Sequence, residues 1–431
     1  MMNASSVASR RFGLPAALVL CACGPAALLL GAAAYESART FTAQELLTSA
    51  QIKGPHHQVA NAVPVDGYLQ VFTMTTDWGP VEAEGLSLLR VRLDEVRALV
   101  ELDGVSKSEV FLKSAGGAVL NVGKGVGAVV HDPGATAKGM GKGLKRFGTN
   151  LGRKAERASD QAIDKAKGSD DEKAEDADKS GSEKAASAAG GVANSVLGVS
   201  GASRKWAQKV GADPYTTNAV LRKALSDIGR IDSAGSIAAR VVVPIPPVLS
   251  TTASVGNLVW SKDPEALLKE NEAQFRALGV SDDVIKRLYL SKGFTLTLHT
   301  RLAQALSAVK ATGSADYIET AAEARTEREA LFFTESAELL QRFHAASPVD
   351  ALLPDSRALI AKTKDGRAVA LVPVDWLAWT EPFAKAAAAA AERAKKELGP
   401  TKLELRLTGR MSPVAKKETA ALGWSVVEDA K

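Results

Sequence analysis

A polar stretch near the middle of the chain limits where a hydrophobic core can form. Residues 159–190 contain nine acidic residues and five lysines, but almost no large apolar side chain. Such a composition cannot bury enough apolar surface to offset the conformational entropy that folding removes. We therefore predict a disordered acidic and lysine-rich linker over residues 159–191, with the ordered parts of the chain on either side of it.

The N-terminus has the pattern of an export signal. Residues 12–34 contain no charged side chain, and Arg10 and Arg11 precede them. A basic region followed by an apolar one is typical of a signal sequence. Three outcomes stay open: cleavage after Ala34, lipidation of Cys23 in a lipobox-like sequence, or retention of the whole stretch as an anchor, since about 20 apolar residues span a bilayer. Each outcome predicts a protein exported to the periplasm.

Composition excludes several classes of protein. The 431 residues are enough for two or three domains of about 150 residues each. Both cysteines, Cys21 and Cys23, lie in the signal region, so we expect no disulfide scaffold and no cysteine-rich zinc module. The net charge of +5 becomes +3 without Arg10 and Arg11, which gives no reason to expect a nucleic-acid partner. The chain contains no dinucleotide fingerprint, phosphate loop, GxSxG, HExxH or EF-hand pattern, so we predict no cofactor and no metal, and we assign no catalytic residue.

Residues 108–158 combine regularly spaced glycines with basic side chains. Apolar residues recur there at helical spacing, and three GxxxG pairs, such as Gly148 and Gly152, favour close approach to another surface. A basic amphipathic helix can lie in a membrane interface with its lysines toward anionic headgroups. A helix packed on its own protein, or a partly disordered extension of the linker, is the alternative. The residues predicted to contact an anionic membrane surface or an envelope protein are Lys138, Lys142, Lys145, Arg146, Phe147, Leu151, Arg153 and Lys154.

The first ordered region, residues 35–107, predicts a small β-meander followed by a helix. Residues 68–76 are rich in β-forming side chains, and the sequences 66–67 and 77–80 are typical of turns. Apolar residues then follow at helical spacing, and they are Leu89, Leu93, Val96 and Val100.

The second ordered region, residues 192–350, predicts a helical bundle. Asp213–Asn218 is typical of a turn and helix cap, Pro264 suits the first turn of a helix, and Ser281 is a good N-cap. Residues 241–260 carry no charge, but three prolines interrupt them, which favours a buried loop and helix over a membrane span.

The third ordered region, residues 351–431, predicts a small α/β domain of order ββαβαβ with a mixed sheet. A hairpin turn is indicated at 364–366, an alanine-rich helix at 378–398, and a further helix after Ser412 and Pro413. The whole exported chain is therefore expected to be α+β and predominantly helical.

Isolated polar residues give no clear catalytic pattern. His299 and His344 fall on bundle helices, where a structural role is expected, and the neighbouring acids Asp94 and Glu95 are expected at a helix start or on an exposed face. The sequence therefore favours an exported, non-enzymatic cell-envelope protein that contacts a membrane or an envelope partner through residues 108–158. The alternative is an exported hydrolase with a dispersed active site between the bundle and the C-terminal domain.

Two stretches resemble a known group of sequences. Asp213–Ile231 and Leu278–Leu306 are similar to segments of an uncharacterised family of exported proteobacterial proteins, and the glycine-rich stretch resembles a region of the same proteins. The resemblance implies export. It brings no activity, cofactor or catalytic residue to this chain.

Overall fold

The computed structural model describes residues 35–108, 111, 199–232, 237, 253–400 and 402–430. The architecture is α+β and mostly helical, as predicted from the sequence: an N-terminal sheet with one long helix, a helical bundle, and a C-terminal mixed sheet. Within these ranges we find no helix with the length and apolar character needed to cross a bilayer.

The N-terminal sheet is antiparallel. Its strand order is β1-β4-β5-β3-β2, and β6 pairs with the other side of β5. Along β5 the side chains of Gln70, Phe72, Met74 and Thr76 are buried in alternation, as expected for a strand with one face on a core. The elements are β1 (Thr40–Thr42), α1 (Ala43–Leu46), α2 (Ser49–Ile52), β2 (Lys53–Gly54), β3 (His57–Val59), β4 (Ala62–Asp66), β5 (Leu69–Thr76) and β6 (Gly79–Glu84).

A 21-residue helix, α3 (Leu86–Ser106), follows the sheet directly. This helix is longer than the apolar stripe Leu89–Val100 predicted, and its residues belong to two apolar clusters. Its first half packs on the sheet through residues such as Leu89 and Val96. Its second half packs through Leu99 and Leu102 on helices of the bundle.

Several helices of the bundle begin at a side-chain N-cap. The predicted caps are confirmed: the Asn218 side chain accepts hydrogen bonds from Val220 N and Leu221 N, and Ser281 caps the helix that begins at Asp282. Val255 and Val259 of the uncharged stretch are buried. The helices are α4 (Gly201–Lys209), α5 (Ala219–Ile231), α6 (Ala253–Ser261), α7 (Pro264–Ala277), α8 (Asp282–Leu290), α9 (Leu296–Val309), α10 (Ser314–Ala321) and α11 (Glu327–Ala346).

The C-terminal sheet has the order β13-β11-β9-β8-β7. Strands β9, β11 and β13 are parallel, and β8 and β7 run antiparallel to their neighbours. The predicted ββαβαβ order is present in β8, β9, α12, β11, α13 and β13, with three additional strands: β7 before it, and the two-residue strands β10 and β12, which pair with each other. The elements are β7 (Val349–Leu352), β8 (Leu359–Thr363), β9 (Arg367–Val372), β10 (Trp376–Leu377), α12 (Glu381–Arg393, extended by a π turn at Ala394–Leu398), β11 (Lys402–Leu407), β12 (Arg410–Met411), α13 (Pro413–Ala421) and β13 (Trp424–Val427).

One local expectation was wrong. Glu95 is not on an exposed face, because only 3% of it is accessible to solvent. Its environment is the subject of the next section.

Candidate functional site

The membrane-contact residues predicted from the sequence, Lys138, Lys142, Lys145, Arg146, Phe147, Leu151, Arg153 and Lys154, lie outside the described residues, as does Cys23. The chain on either side of them is described. Phe111 and Trp206 are both fully buried, and they belong to one apolar cluster that also contains Leu99 of α3 and Leu221 of α5. Described residues that precede and follow segment 112–198 therefore belong to one apolar cluster.

Charged and polar side chains meet where α3, the turn 213–218 and helix α11 come together. We call this group the polar junction, and it consists of Arg92, Glu95, Asp213, Thr216, Thr217, Asn218, Arg301, Glu327, Glu335, Glu338 and Asp375. Its members come from every ordered region of the chain, and they contact one another across more than a hundred residues of sequence.

Glu95 is the acceptor at the centre of the junction. Arg92 Nη1 lies 3.0 Å from both of its carboxylate oxygens, and Asn218 Nδ2 donates to it at 3.0 Å. The Thr216 hydroxyl also donates to it. A buried carboxylate is costly unless its oxygens are hydrogen-bonded, and these three donors give both oxygens of Glu95 a partner.

Arg92 connects α3 to α11 within the polar junction. Its Nη2 donates to Glu327 Oε2 at 2.6 Å and to the Thr217 hydroxyl at 3.0 Å. Thr217 in turn donates to Glu327. The Arg92 guanidinium thus binds carboxylates from its own helix and from the first turn of α11, which fixes the two helices relative to each other.

Asp213 begins the turn that also provides Thr216 and Asn218, the donors to Glu95. It accepts from the Thr297 hydroxyl at 2.6 Å and from Tyr215 N at 2.8 Å. Burial raises the pKa of Asp213 from 3.8 to about 6, because removing water disfavours the charged carboxylate more than these two donors favour it. The negative charge of Glu95 raises this pKa further, and the Arg301 guanidinium lowers it.

Arg301 and Glu338 form a second buried ion pair of the junction. Nε and Nη2 of Arg301 donate to the two oxygens of Glu338 at 2.8 and 2.9 Å. Burial raises the pKa of the neighbouring Glu335 from 4.5 to about 7. Arg301 and the Ser87 hydroxyl lower that pKa, whereas the charges of Glu338 and Asp375 raise it.

Asp375 connects the junction to the C-terminal region. Its Oδ2 accepts from Gln70 N and from Leu86 N, each at 3.0 Å, so it caps the start of α3. Burial raises its pKa above the usual range. Six carboxylates and two guanidinium groups therefore belong to the junction, and burial raises the pKa of Asp213, Glu335 and Asp375 among these carboxylates.

The histidines that the hydrolase alternative would require bind main-chain atoms. His299 Nε2 lies 3.2 Å from Leu288 O, the ring stacks on Phe294, and burial lowers its pKa from 6.5 to about 3. His344 Nδ1 accepts from Val349 N at 3.0 Å. Among the residues that the structure describes, no serine–aspartate pair is hydrogen-bonded to either histidine. Across the described ranges, no group of three or more histidine, cysteine or acidic residues is arranged to hold a metal ion.

One signal for the junction was present in the sequence. The sequence Asp213–Asn218 contains four short polar side chains, which is more than one turn and one N-cap require. Arg92 and Glu95 also occupy helical positions that continue the apolar stripe of Leu89, Val96 and Leu99. Charged residues on such a stripe indicate a buried ion pair, although not its distant partners.

The chain was compared with protein-family models, with curated proteins and with solved structures, and none of the three comparisons gave a match.

Proposed function

We propose that this chain is an exported cell-envelope protein without enzymatic activity, and that its basic glycine-rich residues 116–157 contact an anionic membrane surface. The folded unit Tyr35–Lys431 would hold both ends of this segment at one place. The observation that carries the proposal is the shared apolar cluster. It contains Phe111, which precedes residues 112–198 in the sequence, and Trp206, which follows them.

Export is supported by the N-terminal pattern of Arg10 and Arg11 followed by 23 residues without a charge. It is also supported by the cysteines. Both precede Tyr35, so the folded unit has no thiol that could mispair in an oxidising compartment.

Membrane contact is supported by charge and by the surface of the folded unit. From Lys138 to Arg157 the sequence holds seven cationic side chains and the single acid Glu156, which favours binding to anionic headgroups. Among the described residues, the exposed large apolar side chains are Tyr35 and Leu290. These two side chains do not make the contiguous apolar patch that a docking surface needs, so we assign lipid contact to the glycine-rich segment.

Vesicle flotation of Tyr35–Lys431 tests the membrane contact. This unit is compact on its own, and it excludes the N-terminal apolar run, which would bind any lipid. The expected result is recovery with vesicles containing phosphatidylglycerol but not with pure phosphatidylcholine, and a loss of binding as salt rises. Glutamine at Lys138, Lys142, Lys145, Arg146, Arg153 and Lys154 should abolish recovery.

A matched variant separates the basic stripe from net charge. Replacing the five linker lysines, Lys165, Lys167, Lys173, Lys179 and Lys184, with glutamine removes nearly as much charge but leaves the amphipathic segment intact. This control should bind like the wild type. Equal recovery with neutral and anionic vesicles, no recovery with either, or equal losses in both variants would reject the proposal. If the protein does not bind vesicles but retains an envelope protein in a pull-down, a protein partner would be favoured instead.

The compartment is tested separately. Cell fractionation of the untagged protein should find it outside the cytoplasm, and its intact mass distinguishes a start at Tyr35, a lipid on Cys23 and a retained Met1. Recovery of the full-length product in the cytoplasmic supernatant would contradict export.

A further inference from the structure

Helices α4 and α5 form a hairpin that directly follows segment 112–198 in the sequence. Ser200 caps α4, where its hydroxyl accepts from Ser203 N at 3.1 Å. Ser203 packs against Gly229 of α5 so closely that a Cβ added to Gly229 would lie 2.8 Å from the main-chain nitrogen of Ser203. The start of α4 and the end of α5 therefore lie side by side, next to the first described residue after the segment.

The solvent side of this hairpin is basic. Four exposed cations lie on it, and we call them the hairpin face: Lys205 of α4, and Arg222, Lys223 and Arg230 of α5. The sequence of α4 contains no acid, and that of α5 contains only Asp227. Asp227 binds both Lys223 and Arg230, whose side chains are 71% and 75% exposed. The four cations and this one acid leave a net charge of +3 on the hairpin face.

The other acids close to the hairpin are buried or paired. Asp232, directly after α5, is 1% exposed and accepts from the indole nitrogen of Trp206 at 3.0 Å. Asp263 binds Arg204 of α4, and the Arg204 side chain is 8% exposed, so this arginine is not part of the hairpin face. The hairpin therefore presents an excess of positive charge to solvent.

The hairpin face can attract a charged surface but cannot insert into one. The large apolar side chains of the hairpin, such as Trp206 and Leu221, are buried in the cluster with Phe111. The exposed large apolar side chains among the described residues, Tyr35 and Leu290, lie on other elements. Attraction between exposed charges extends over about one Debye length, roughly 8–10 Å at moderate salt. Another part of the chain must therefore bring the hairpin face close to its partner.

We propose that the hairpin face is a second membrane-contact surface, which binds the headgroups of anionic phospholipids once the glycine-rich segment has attached the protein to the membrane. This inference rests on the proposed function. Anionic lipid is favoured over other anionic partners because the hairpin follows the basic segment: Arg157 precedes Val199 by 42 residues. A chain of that length, when unfolded, has an r.m.s. extent of about 35 Å. Such a tether holds the hairpin face near the lipid at an effective concentration of about a millimolar.

The number of cations sets the size of the expected effect. Each lysine or arginine that reaches an anionic membrane surface strengthens binding about fivefold. Because a rigid face cannot bring every cation to one plane, we count two of the three net charges, which gives about thirtyfold. The hairpin face alone is too weak to attach the protein, so its contribution is measured in a chain that keeps the glycine-rich segment.

Titration of Tyr35–Lys431 with vesicles containing phosphatidylglycerol tests the hairpin face. A five-site variant removes its four cations, and also Asp227 so that no unpaired acid remains: Lys205→Gln, Arg222→Gln, Lys223→Gln, Arg230→Gln and Asp227→Asn. It should bind about thirtyfold more weakly than the wild type, and its affinity should fall less steeply as salt rises.

A matched control removes the same net charge from the C-terminal region. It replaces three exposed lysines, as Lys396→Gln, Lys402→Gln and Lys417→Gln. This control should bind vesicles like the wild type. Circular dichroism of both variants checks that the helices are retained.

A second measurement locates the contact without changing the hairpin face. Tyr35–Lys431 contains no cysteine, so a single fluorophore can be attached in Gln208→Cys, on the exposed side of α4, or in Ala388→Cys, on the exposed side of α12. Lipids with a nitroxide on the headgroup should quench the label at position 208 and not that at position 388. This measurement decides the question even where the five-site variant does not fold.

Three results would overturn the inference: an unchanged vesicle affinity in the five-site variant, an equal loss in the control, or equal quenching at positions 208 and 388. Cross-linking from Gln208→Cys to an envelope protein or to the acidic linker, in place of lipid, would overturn it as well. If the wild type does not bind anionic vesicles, the proposed function and this inference both fail. If the wild type binds and the five-site variant binds equally well, only this inference fails.

Discussion

Replacing Arg301 with methionine should be among the most destabilising single changes in the bundle. The guanidinium makes two hydrogen bonds to Glu338, at 2.8 and 2.9 Å, and the side chains of the pair are 7% and 11% exposed. Removing one partner of such a pair leaves the other charge buried and uncompensated, which costs about 3–5 kcal/mol. Methionine fills most of the volume, so the loss reports charge and not a cavity.

The loss should depend on pH in a defined direction. Arg301 lowers the pKa of both Asp213 and Glu335, so in Arg301→Met both pKa values rise and more of the junction is protonated at neutral pH. We expect about 4 kcal/mol of destabilisation at pH 7.5 and about 2 kcal/mol less at pH 5.5, where Asp213 and Glu335 carry less negative charge.

Urea unfolding of Tyr35–Lys431, followed by circular dichroism at both pH values, measures this difference through the midpoint and slope. The companion variant Arg301→Met with Glu338→Met replaces the pair by apolar side chains. It should recover most of the loss, because no unpaired charge remains. A loss below about 1 kcal/mol for Arg301→Met at both pH values, or a double variant worse than the single one, would refute this account of the junction.

Three further outcomes are expected. Gly409→Ala should lower the free energy of unfolding by more than about 2 kcal/mol, because an added Cβ would lie 2.2 Å from the main-chain oxygen of Asp375. The midpoint of urea unfolding checks this. Gly279 has open space around it, but its φ of +85° would strain an alanine, so Gly279→Ala is not a suitable control. Glu36→Ala removes an acceptor of Trp379 N at 2.6 Å and should lower stability by about 2 kcal/mol, measured as a lower thermal midpoint. The His299 imidazole should show no titration above about pH 5 by NMR, since burial lowers its pKa to about 3, and the stability it provides above pH 6.5 is lost as pH falls.

The secondary structure was largely predictable because its determinants are local. The β5–β6 hairpin follows from β-forming residues beside a turn, and the start of α13 follows from Ser412 before Pro413. Each of these signals needs only the residues within one or two turns of it. The short helices α1 and α2 were missed, although both have a capping box, Thr42 with Glu45 and Thr48 with Gln51. Four residues carry too little apolar pattern to indicate a helix.

The polar junction could not be predicted because its partners are distant in sequence. Thr216 lies 121 residues from Glu95, and Asp375 lies 289 residues from the amide of Leu86 to which it bonds. Local periodicity indicates that Arg92 and Glu95 face inward. It cannot indicate which other side chains meet them, because that depends on how the sheet and the bundle pack together.

The polar stretch 159–190 shows what such a composition does and does not imply. A polar stretch that cannot form a hydrophobic core does not, by its presence in the sequence, divide the rest of the chain into two separate cores. Leu99 and Phe111 before the segment pack with Trp206 and Leu221 after it, so one apolar cluster is built from both sides. Lengthening the chain between two packed residues adds only a small entropic cost, and burial of Phe111 and Trp206 offsets that cost.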